Sequence, residues 1–235
     1  MKILYIFPHP DDESFGPAHA ISKQRRQNHE VHLLTLTKGG ATRQREKFGY
    51  SIEEMGEVRY KEMLKVAKVL NLSSLTVLDL PDSGLKEMDP REIENTIKDE
   101  IEKIKPEVIV TYAVHGISGF HDHLVCYAVV KRVYEEMKEN VTYLKRLAFF
   151  TITEEDSKKQ TKFNLNFSKN DEIDCSFETD EEDRQNAVKA LECYETYKET
   201  INDTNINDFI NKDVVFEIYK EKHEPKLKNL FERLA

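Results

Sequence analysis

The chain begins with a short apolar run that ends abruptly in polar residues. Ile3–Phe7 holds five consecutive apolar side chains, and Pro8, His9, Pro10 and acidic residues follow directly. A continuous apolar run of this length is typical of a strand that is buried on both faces of a parallel sheet. It therefore predicts a first strand whose carboxyl end carries a polar cluster.

Apolar runs and helical periods then alternate through residue 151. The predicted strands are Ile3–Phe7, Glu30–Thr37, Leu75–Leu80, Glu107–Tyr112 and Leu144–Thr151. The predicted helices are Glu13–Gln27, Glu53–Leu70, Pro90–Lys105, with Asp89 as N-cap, and Leu124–Lys138. This alternation predicts an α/β fold: a doubly wound, mostly parallel, Rossmann-like sheet with helices on both faces.

The pattern weakens in the last third of the chain. It predicts a short edge strand at Ile173–Phe177, a helix at Glu181–Thr200, a last strand at Val214–Tyr219 and a terminal helix at Lys226–Leu234. Ala41–Tyr50 is polar, without a period, and is predicted to be a mobile loop. The sequence shows no internal repeat or linker, so we expect a single domain over 1–235.

Composition excludes several classes of partner. The net charge of −9 argues against nucleic acid or an anionic membrane as the main partner. No apolar run approaches the ~20 residues of a membrane span, and Met1–Phe7 is too short for a signal peptide. The three cysteines have no short-spaced pair, which predicts reduced thiols and a cytoplasmic protein. The composition is compatible with a homo-oligomer.

Two clusters of polar residues follow predicted strands. His9, Asp11 and Asp12 come after the first strand, and His121-Asp122-His123 comes after the fourth. The carboxyl ends of parallel strands lie at the same edge of a sheet, so the two clusters can meet there. Two imidazoles and a carboxylate with an open position form a catalytic zinc site, and the same ligands suit iron(II).

Simpler interpretations exist for each cluster taken alone. His9 could be a turn residue, and Asp11 or Asp12 a helix cap. Asp122 could cap the helix predicted from Leu124 or orient an imidazole that binds metal. We expect Glu13 only to start its helix, and the pattern assigns no role to the remaining histidines outside the two clusters.

His9-Pro-Asp-Asp-Glu13 and the later Gly-Ile-Ser-Gly-x-x-Asp-His123 resemble motifs of the LmbE-like (PIG-L) zinc N-deacetylases. That family removes acetyl groups from N-acetylglucosamine conjugates, including precursors of mycothiol, bacillithiol and glycosylphosphatidylinositol. The resemblance implies that His9, Asp12 and His123 bind Zn²⁺ and that Asp11 is the general base. It also implies a small amino-sugar conjugate as the substrate.

The resemblance extends to segments that line the sugar site. These are Thr37–Gly39, which contains Lys38, and Arg59-x-x-Glu62. Arg59 is a candidate for holding an anionic aglycone such as malate, or else a surface residue paired with a neighbouring glutamate. Together with Leu80–Leu85, these segments look most like the bacillithiol-pathway deacetylases. The candidate substrate is therefore N-acetylglucosaminyl-malate.

One departure concerns the proton donor. Most family members carry His three residues before the last zinc ligand, where this chain has Phe120. His121 is the nearest replacement, because an imidazole titrates near neutrality, while His115 and reduced activity are alternatives. The family's C-terminal His-x-Ser-Gln segment is also absent, with Cys193–Tyr197 in its place.

The resemblance thus implies zinc-assisted amide hydrolysis with Asp11 and His121 as catalytic groups. Phe120 favours one alternative, a non-catalytic sugar or metabolite binder of the same fold. A metal-dependent phosphoesterase is a third reading, which calls for more basic groups than Lys38, Arg43 and Arg45.

Overall fold

The computed structural model describes residues 1–159, 162–210 and 213–234. The strands in these ranges are β1 Lys2–Phe7, β2 Glu30–Thr37, β3 Ser74–Leu80, β4 Val108–Tyr112, β5 Arg146–Thr151, β6 Cys175–Glu178 and β7 Asp213–Ile218. The helices are α1 Asp12–Phe15, α2 Ala18–Arg26, α3 Gln44–Phe48, α4 Ile52–Val69, α5 Pro90–Ile104, α6 His121–Lys138, α7 Glu154–Lys159, α8 Glu181–Glu192 and α9 Lys198–Thr204. Short 3₁₀ turns occupy Leu85–Glu87, Glu195–Tyr197 and Ile206–Phe209.

The described strands form one sheet in the order β3-β2-β1-β4-β5-β7-β6. The first five strands of this order are parallel, and β7 runs antiparallel to both β5 and β6. The prediction of a doubly wound, mostly parallel sheet is confirmed. The chain winds outward from β1 in one direction and resumes at β4 on its other side. The crevice beyond the carboxyl ends of β1 and β4 is therefore the switch point at which such sheets bind ligands.

Alternate side chains of β1 enter two separate core layers. Ile3, Tyr5 and Phe7 pack with residues of α2, α4 and α8, whereas Leu4 and Ile6 pack with residues of α5 and α6. All five side chains are fully buried. Burying an aliphatic or aromatic side chain of this size contributes about 1.5–3 kcal/mol. The double burial anchors the strand that presents the first polar cluster.

The first predicted helix is interrupted at Gly16-Pro17. It forms α1 and α2 instead of one continuous helix. Proline lacks an N–H and disfavours the helical conformation in the residue before it, and Gly16 adopts φ −121°, ψ −114°. A Cβ at Gly16 would lie 2.7 Å from the ring of Phe150, so the break also lets the chain pass close to β5.

Other element predictions hold with changed boundaries, and some are wrong. Asp89 caps α5 by accepting a hydrogen bond of 3.0 Å from the amide of Arg91, as predicted. The predicted loop at 41–50 contains α3, and the predicted helix from Glu181 ends at Glu192. Lys226–Leu234 forms turns and a single bridge at Leu227 in place of a helix. In the described part of the chain, no helix has the length and apolarity needed to cross a bilayer.

Candidate metal and active site

The loops that follow neighbouring parallel strands meet at the switch point. The loop after β2 contacts the loop after β3, because the amide of Ala41 donates to Asp82 Oδ2 at 2.7 Å. Asp82 Oδ1 in turn lies 3.3 Å from His9 Nε2, in the segment after β1. The start of α6 adds Asp122 and His123 to the same region. The two polar clusters of the sequence therefore do meet, as their strand positions predict.

Asp12 is at the centre of this arrangement. Its Oδ1 lies 3.3 Å from His123 Nε2, and its Oδ2 lies 3.5 Å from His9 Nδ1. Tyr112, the last residue of β4, donates its hydroxyl to Asp12 Oδ1 at 2.7 Å. The amide of His9 donates to Asp12 Oδ2 at 2.8 Å. Asp12 therefore does not cap α1, and its carboxylate is oriented toward both imidazoles.

Each imidazole is held by its outer nitrogen. His9 Nε2 lies 3.2 Å from Asp122 Oδ2, and Asp122 also accepts the amide of Ser83 at 2.8 Å. His123 Nδ1 lies 2.9 Å from the carbonyl oxygen of Gly116, which can only accept a hydrogen bond. These partners engage the outer nitrogens, so His9 Nδ1 and His123 Nε2 are the atoms that face Asp12 and would bind a metal. Hydrogen bonds of this kind orient metal-binding histidines.

Gly116, whose carbonyl oxygen supports His123, is packed closely against that residue. It adopts φ +61°, and a Cβ there would lie 2.8 Å from Cβ of His123. A side chain at this position would be strained and would also displace the imidazole.

The residues present fit a divalent transition metal. His9, Asp12 and His123 offer donor atoms that all lie within 4.8 Å of one another. Ligand atoms bonded at about 2.1 Å to a tetrahedral metal lie about 3.4 Å apart, close to the observed separations around Asp12. Burial opposes a charged imidazole, yet hydrogen bonds to Asp12 and Asp122 outweigh it and raise the pKa of His9 to about 10. The pocket therefore favours positive charge at this point.

Asp11 lies beside these three residues and has a different set of partners. It adopts φ +87°, which is rare for a residue with a side chain, and its carboxylate forms an ion pair with Arg59. Its amide donates to the hydroxyl of Tyr194 at 2.8 Å. Burial raises the pKa of Asp11 to about 6, although the Arg59 guanidinium opposes this. Such a carboxylate can exchange a proton near neutral pH.

Arg59 lies in the interior, so the interpretation as a surface residue is wrong. Its side chain is 2% exposed, and its guanidinium donates to the carbonyl oxygens of Pro10 and Gly39 at 2.6 and 3.0 Å. The guanidinium also lies over the ring of Tyr197, with 4.2 Å from Cζ to the ring centroid. It is therefore not a surface residue paired with a neighbouring glutamate. Its contacts with the protein favour a role in holding Asp11 over contact with an aglycone.

Lys38 lies at the rim of the site, and its positive charge is already paired with two carboxylates. Its Nζ donates to Glu57 at 2.6 Å and lies 3.4 Å from Asp79. A substrate anion would have to compete with both carboxylates.

Phe120 and His121 begin α6 at the mouth of the site. The ring of Phe120 is 60% exposed and lies edge-on to His123, with 5.6 Å between centroids. His121 is also exposed, and the hydrogen bonds and ion pairs of the described residues do not include it. Because α6 begins at His121 with Phe120 as N-cap, Asp122 does not cap it and instead orients His9.

His115 is engaged on the other side of its loop. The amide of Ile117 donates to His115 Nδ1 at 3.0 Å, so the ring proton is on Nε2. Nε2 lies 3.4 Å from both Thr151 Oγ1 and Ser168 Oγ. The structure therefore places His115 in a network that supports the loop and does not bring it together with His9, Asp12 and His123.

Sequence reasoning missed three contributors to this site. Tyr112 ends a strand predicted from the sequence, so its position offered a signal. Asp82 likewise follows a predicted strand within a turn. Tyr194 lies in Cys193–Tyr197, the segment that stands in place of the family's His-x-Ser-Gln, and its hydroxyl contacts the backbone of Asp11 and the carboxylate of Glu13. Glu13 is fully buried, and burial raises its pKa to about 7, so it does more than start a helix.

Sequence comparisons find relatives with named activities. A family model described as GlcNAc-PI de-N-acetylase (PIG-L) matches residues 4–134. A probable N-acetyl-alpha-D-glucosaminyl L-malate deacetylase 2 of Bacillus subtilis (strain 168) is 32% identical over 141 residues, which are 59% of this chain and 63% of that protein. A probable N-acetylglucosaminyl-phosphatidylinositol de-N-acetylase of Schizosaccharomyces pombe is 30% identical over 133 residues, 54% of this chain and 49% of that protein. The matches thus span less than two thirds of these relatives.

A structural comparison extends the likeness beyond the matched region. The crystal structure of a deacetylase in the biosynthesis pathway of teicoplanin superposes with a TM-score of 0.72. The superposition covers 93% of this chain and 97% of the other, at 15% sequence identity. At that identity the likeness concerns the fold, and it includes the C-terminal part of the sheet.

Proposed function

Because the chain belongs to the GlcNAc-PI de-N-acetylase (PIG-L) family, we propose that it is a metal-dependent deacetylase acting on an N-acetylglucosamine conjugate. One observation carries the proposal. His9, Asp12 and His123 converge at the switch point, and the carboxylate of Asp11 is near enough for the charges of Asp12 and His9 to affect its pKa. This arrangement provides a site for a Lewis acid next to a separate carboxylate that can exchange a proton.

His9, Asp12 and His123 would hold the metal. The two nitrogens and one oxygen suit Zn²⁺, and Fe²⁺ accepts the same ligands. When bound, the metal would supply Lewis-acid chemistry, activating water and stabilising charge that develops on the amide oxygen. Asp122, Gly116 and Tyr112 keep the three ligands in their orientation.

Asp11 moves the proton. Its carboxylate accepts a proton from the attacking water as the new C–O bond forms at the acetamide carbon. The C–N bond then breaks, and the same proton passes to the leaving nitrogen, which gives a free amine and acetic acid, and the acid releases its proton to become acetate. The buried pair with Arg59 fixes the carboxylate during both transfers. His121 remains a second candidate for the proton donated to nitrogen.

The candidate substrate is N-acetylglucosaminyl-malate. The name of the Bacillus subtilis relative supports this choice, as do the segments around Lys38 and Leu80–Leu85 in the sequence. Lys38 is the candidate contact for a carboxylate of malate, in exchange for its present partners. The free thiols of Cys126, Cys175 and Cys193 support a cytoplasmic location.

Two other functions are less well supported. A non-catalytic amino-sugar binder is favoured by Phe120, which places a hydrocarbon ring where an imidazole is usual in this family. A phosphoesterase would need several cations for phosphate, whereas Arg59 is buried and already paired with Asp11.

A substrate panel tests the proposal. Purified protein loaded with Zn²⁺ or Fe²⁺ is incubated with N-acetylglucosamine linked to malate, to inositol and to phosphatidylinositol, and both acetate and primary amine are measured. We expect equal amounts of acetate and amine from at least one conjugate, with the malate conjugate the best. Tight binding of a conjugate without release of acetate would support the binder instead.

A further inference from the structure

Tyr194 connects the C-terminal part of the chain to the catalytic strand end. It lies at the end of α8, beyond the residues matched by the family model, and its side chain is fully buried. Its hydroxyl donates to Glu13 Oε1 at 2.7 Å and accepts the amide of Asp11 at 2.8 Å. One phenol oxygen thus joins the backbone of the proposed base to a buried carboxylate two residues later.

The neighbours of Tyr194 fix the segment 194–197 from two other directions. The amide and hydroxyl of Thr196 donate to the two carboxylate oxygens of Glu62 in α4, at 2.9 and 2.7 Å. Tyr197 lies under the guanidinium of Arg59 and donates its hydroxyl to Thr42 Oγ1 at 2.7 Å. The segment therefore has little freedom to shift, and the position of the Tyr194 hydroxyl is well defined.

The backbone of Asp11 needs such support. A non-glycine residue at positive φ is strained and persists only where its surroundings impose it. The amide of Asp11 would also lose its hydrogen-bond partner if the phenol oxygen were removed. A buried amide left without a partner destabilises the conformation that buries it. Phenylalanine at 194 would fill the same volume and supply neither the acceptor nor the donor.

We propose that Tyr194 is a positioning residue for the general base, holding Asp11 in its left-handed conformation with its carboxylate paired with Arg59. This rests on the proposed deacetylase function. Tyr194 touches neither His9, Asp12 nor His123 in the described contacts, so its effect passes through Asp11. Its removal should therefore affect the chemical step more than substrate or metal binding.

Tyr194→Phe tests this, with Tyr5→Phe as the matched control. Tyr5 is also fully buried, in the same core layer, and its hydroxyl makes one hydrogen bond, of 2.9 Å, to Gln24. We expect Tyr194→Phe to lower kcat by about 10- to 100-fold, the scale of an ångström-sized misplacement. KM and bound metal should stay within about two-fold of the wild-type values. The control should lose a similar amount of stability and retain kcat.

Hydrogen exchange gives a readout that does not depend on activity. The amide of Asp11 should exchange at least about ten-fold faster in Tyr194→Phe than in the wild type or in Tyr5→Phe. A third measurement uses Asp11→Asn as background. If Tyr194 acts through Asp11, adding Tyr194→Phe should lower the residual rate no further, because mutations in one functional unit are not additive.

The results that would overturn the role of Tyr194 differ from those that would overturn the proposed function. An unchanged kcat in Tyr194→Phe, a rise in KM alone, or loss of bound metal would each overturn the positioning role. An equal loss of rate in the Asp11→Asn background would also overturn it. If the wild type releases no acetate from any conjugate, the proposed function fails, while faster exchange of the Asp11 amide would still confirm the contact with Tyr194.

Discussion

The guanidinium of Arg59 forms a buried ion pair with the carboxylate of Asp11. The pair joins α4 to the segment after β1 and leaves Arg59 with contacts to the protein on several sides. Both the stability of this strand end and the direction of the Asp11 side chain therefore depend on Arg59. A residue that the sequence suggested for substrate binding is placed to hold Asp11, the proposed base.

Replacing Arg59 with Gln tests this role. Breaking a buried ion pair from one side typically costs about 3–5 kcal/mol, so we expect a marked fall in thermal stability. We also expect kcat to fall for every conjugate alike, because the lost contact is with Asp11. The control is Arg132→Gln, an exposed helix residue paired with Glu136, which should change stability by less than about 0.5 kcal/mol. A rise in KM confined to anionic conjugates would instead return Arg59 to substrate binding.

Tyr112→Phe probes the support of the proposed metal ligand Asp12. The variant removes the hydrogen bond of 2.7 Å to Asp12 Oδ1 and leaves the ring in place against His123. Loss of such an outer contact typically lowers metal affinity about 10- to 100-fold. Competition with a chromogenic chelator measures this affinity, and Tyr5→Phe again serves as control. Equal affinities in wild type and Tyr112→Phe would show that Asp12 is not a ligand or needs no such support.

Residues 120 and 121, at the mouth of the site, give two linked predictions. His121 is exposed and the recorded contacts do not link it to Asp11, so we expect His121→Ala to lower kcat by less than about three-fold, far below the effect of a general acid. Phe120→His places an imidazole where the Phe120 ring now lies edge-on to His123, with 5.6 Å between centroids, and we expect it to raise kcat. A loss of about 100-fold or more in His121→Ala would show that His121 is the proton donor, as the sequence suggested.

His19 makes folding stability depend on pH. It is 4% exposed, and burial lowers its pKa from 6.5 to about 4. The free energy of unfolding is therefore highest, as far as His19 is concerned, above the unfolded pKa of 6.5. It decreases as the pH falls toward 4, because the unfolded chain then binds a proton that the folded protein excludes. The difference corresponds to roughly 3 kcal/mol. Urea unfolding of wild type and His19→Gln between these pH values should show a shallower pH dependence in the variant. Parallel curves would contradict this account of His19.

The sequence predicted the parts of the site that depend on local pattern. Apolar runs placed β1 and β4, and parallel pairing then brought His9 and Asp12 close to His123. The same local rules could have predicted the helix break before Pro17. The helical period of the flanking residues instead predicted one continuous helix.

What the sequence could not supply depends on long-range packing. Arg59 looks like a residue of an exposed helix, and only the fold shows that α4 turns it toward Asp11. Tyr194 lies 183 residues from Asp11 along the chain, and no local pattern relates the two. His121 illustrates the same limit, since its proximity in sequence to His123 gives it no hydrogen bond or ion pair with Asp11 in the described part of the chain.

The most direct test combines metal content with turnover in Asp11→Asn. Wild type and variant are stripped with a chelator, reloaded with Zn²⁺, and assayed for bound metal and for acetate released from N-acetylglucosaminyl-malate. We expect one metal ion per chain in both proteins, and acetate release at least about 100-fold slower in the variant, because only the base is lost. Acetate release at the wild-type rate by metal-loaded Asp11→Asn would contradict the assignment of Asp11. Stoichiometric metal without turnover of any conjugate by the wild type would contradict the proposed deacetylase itself.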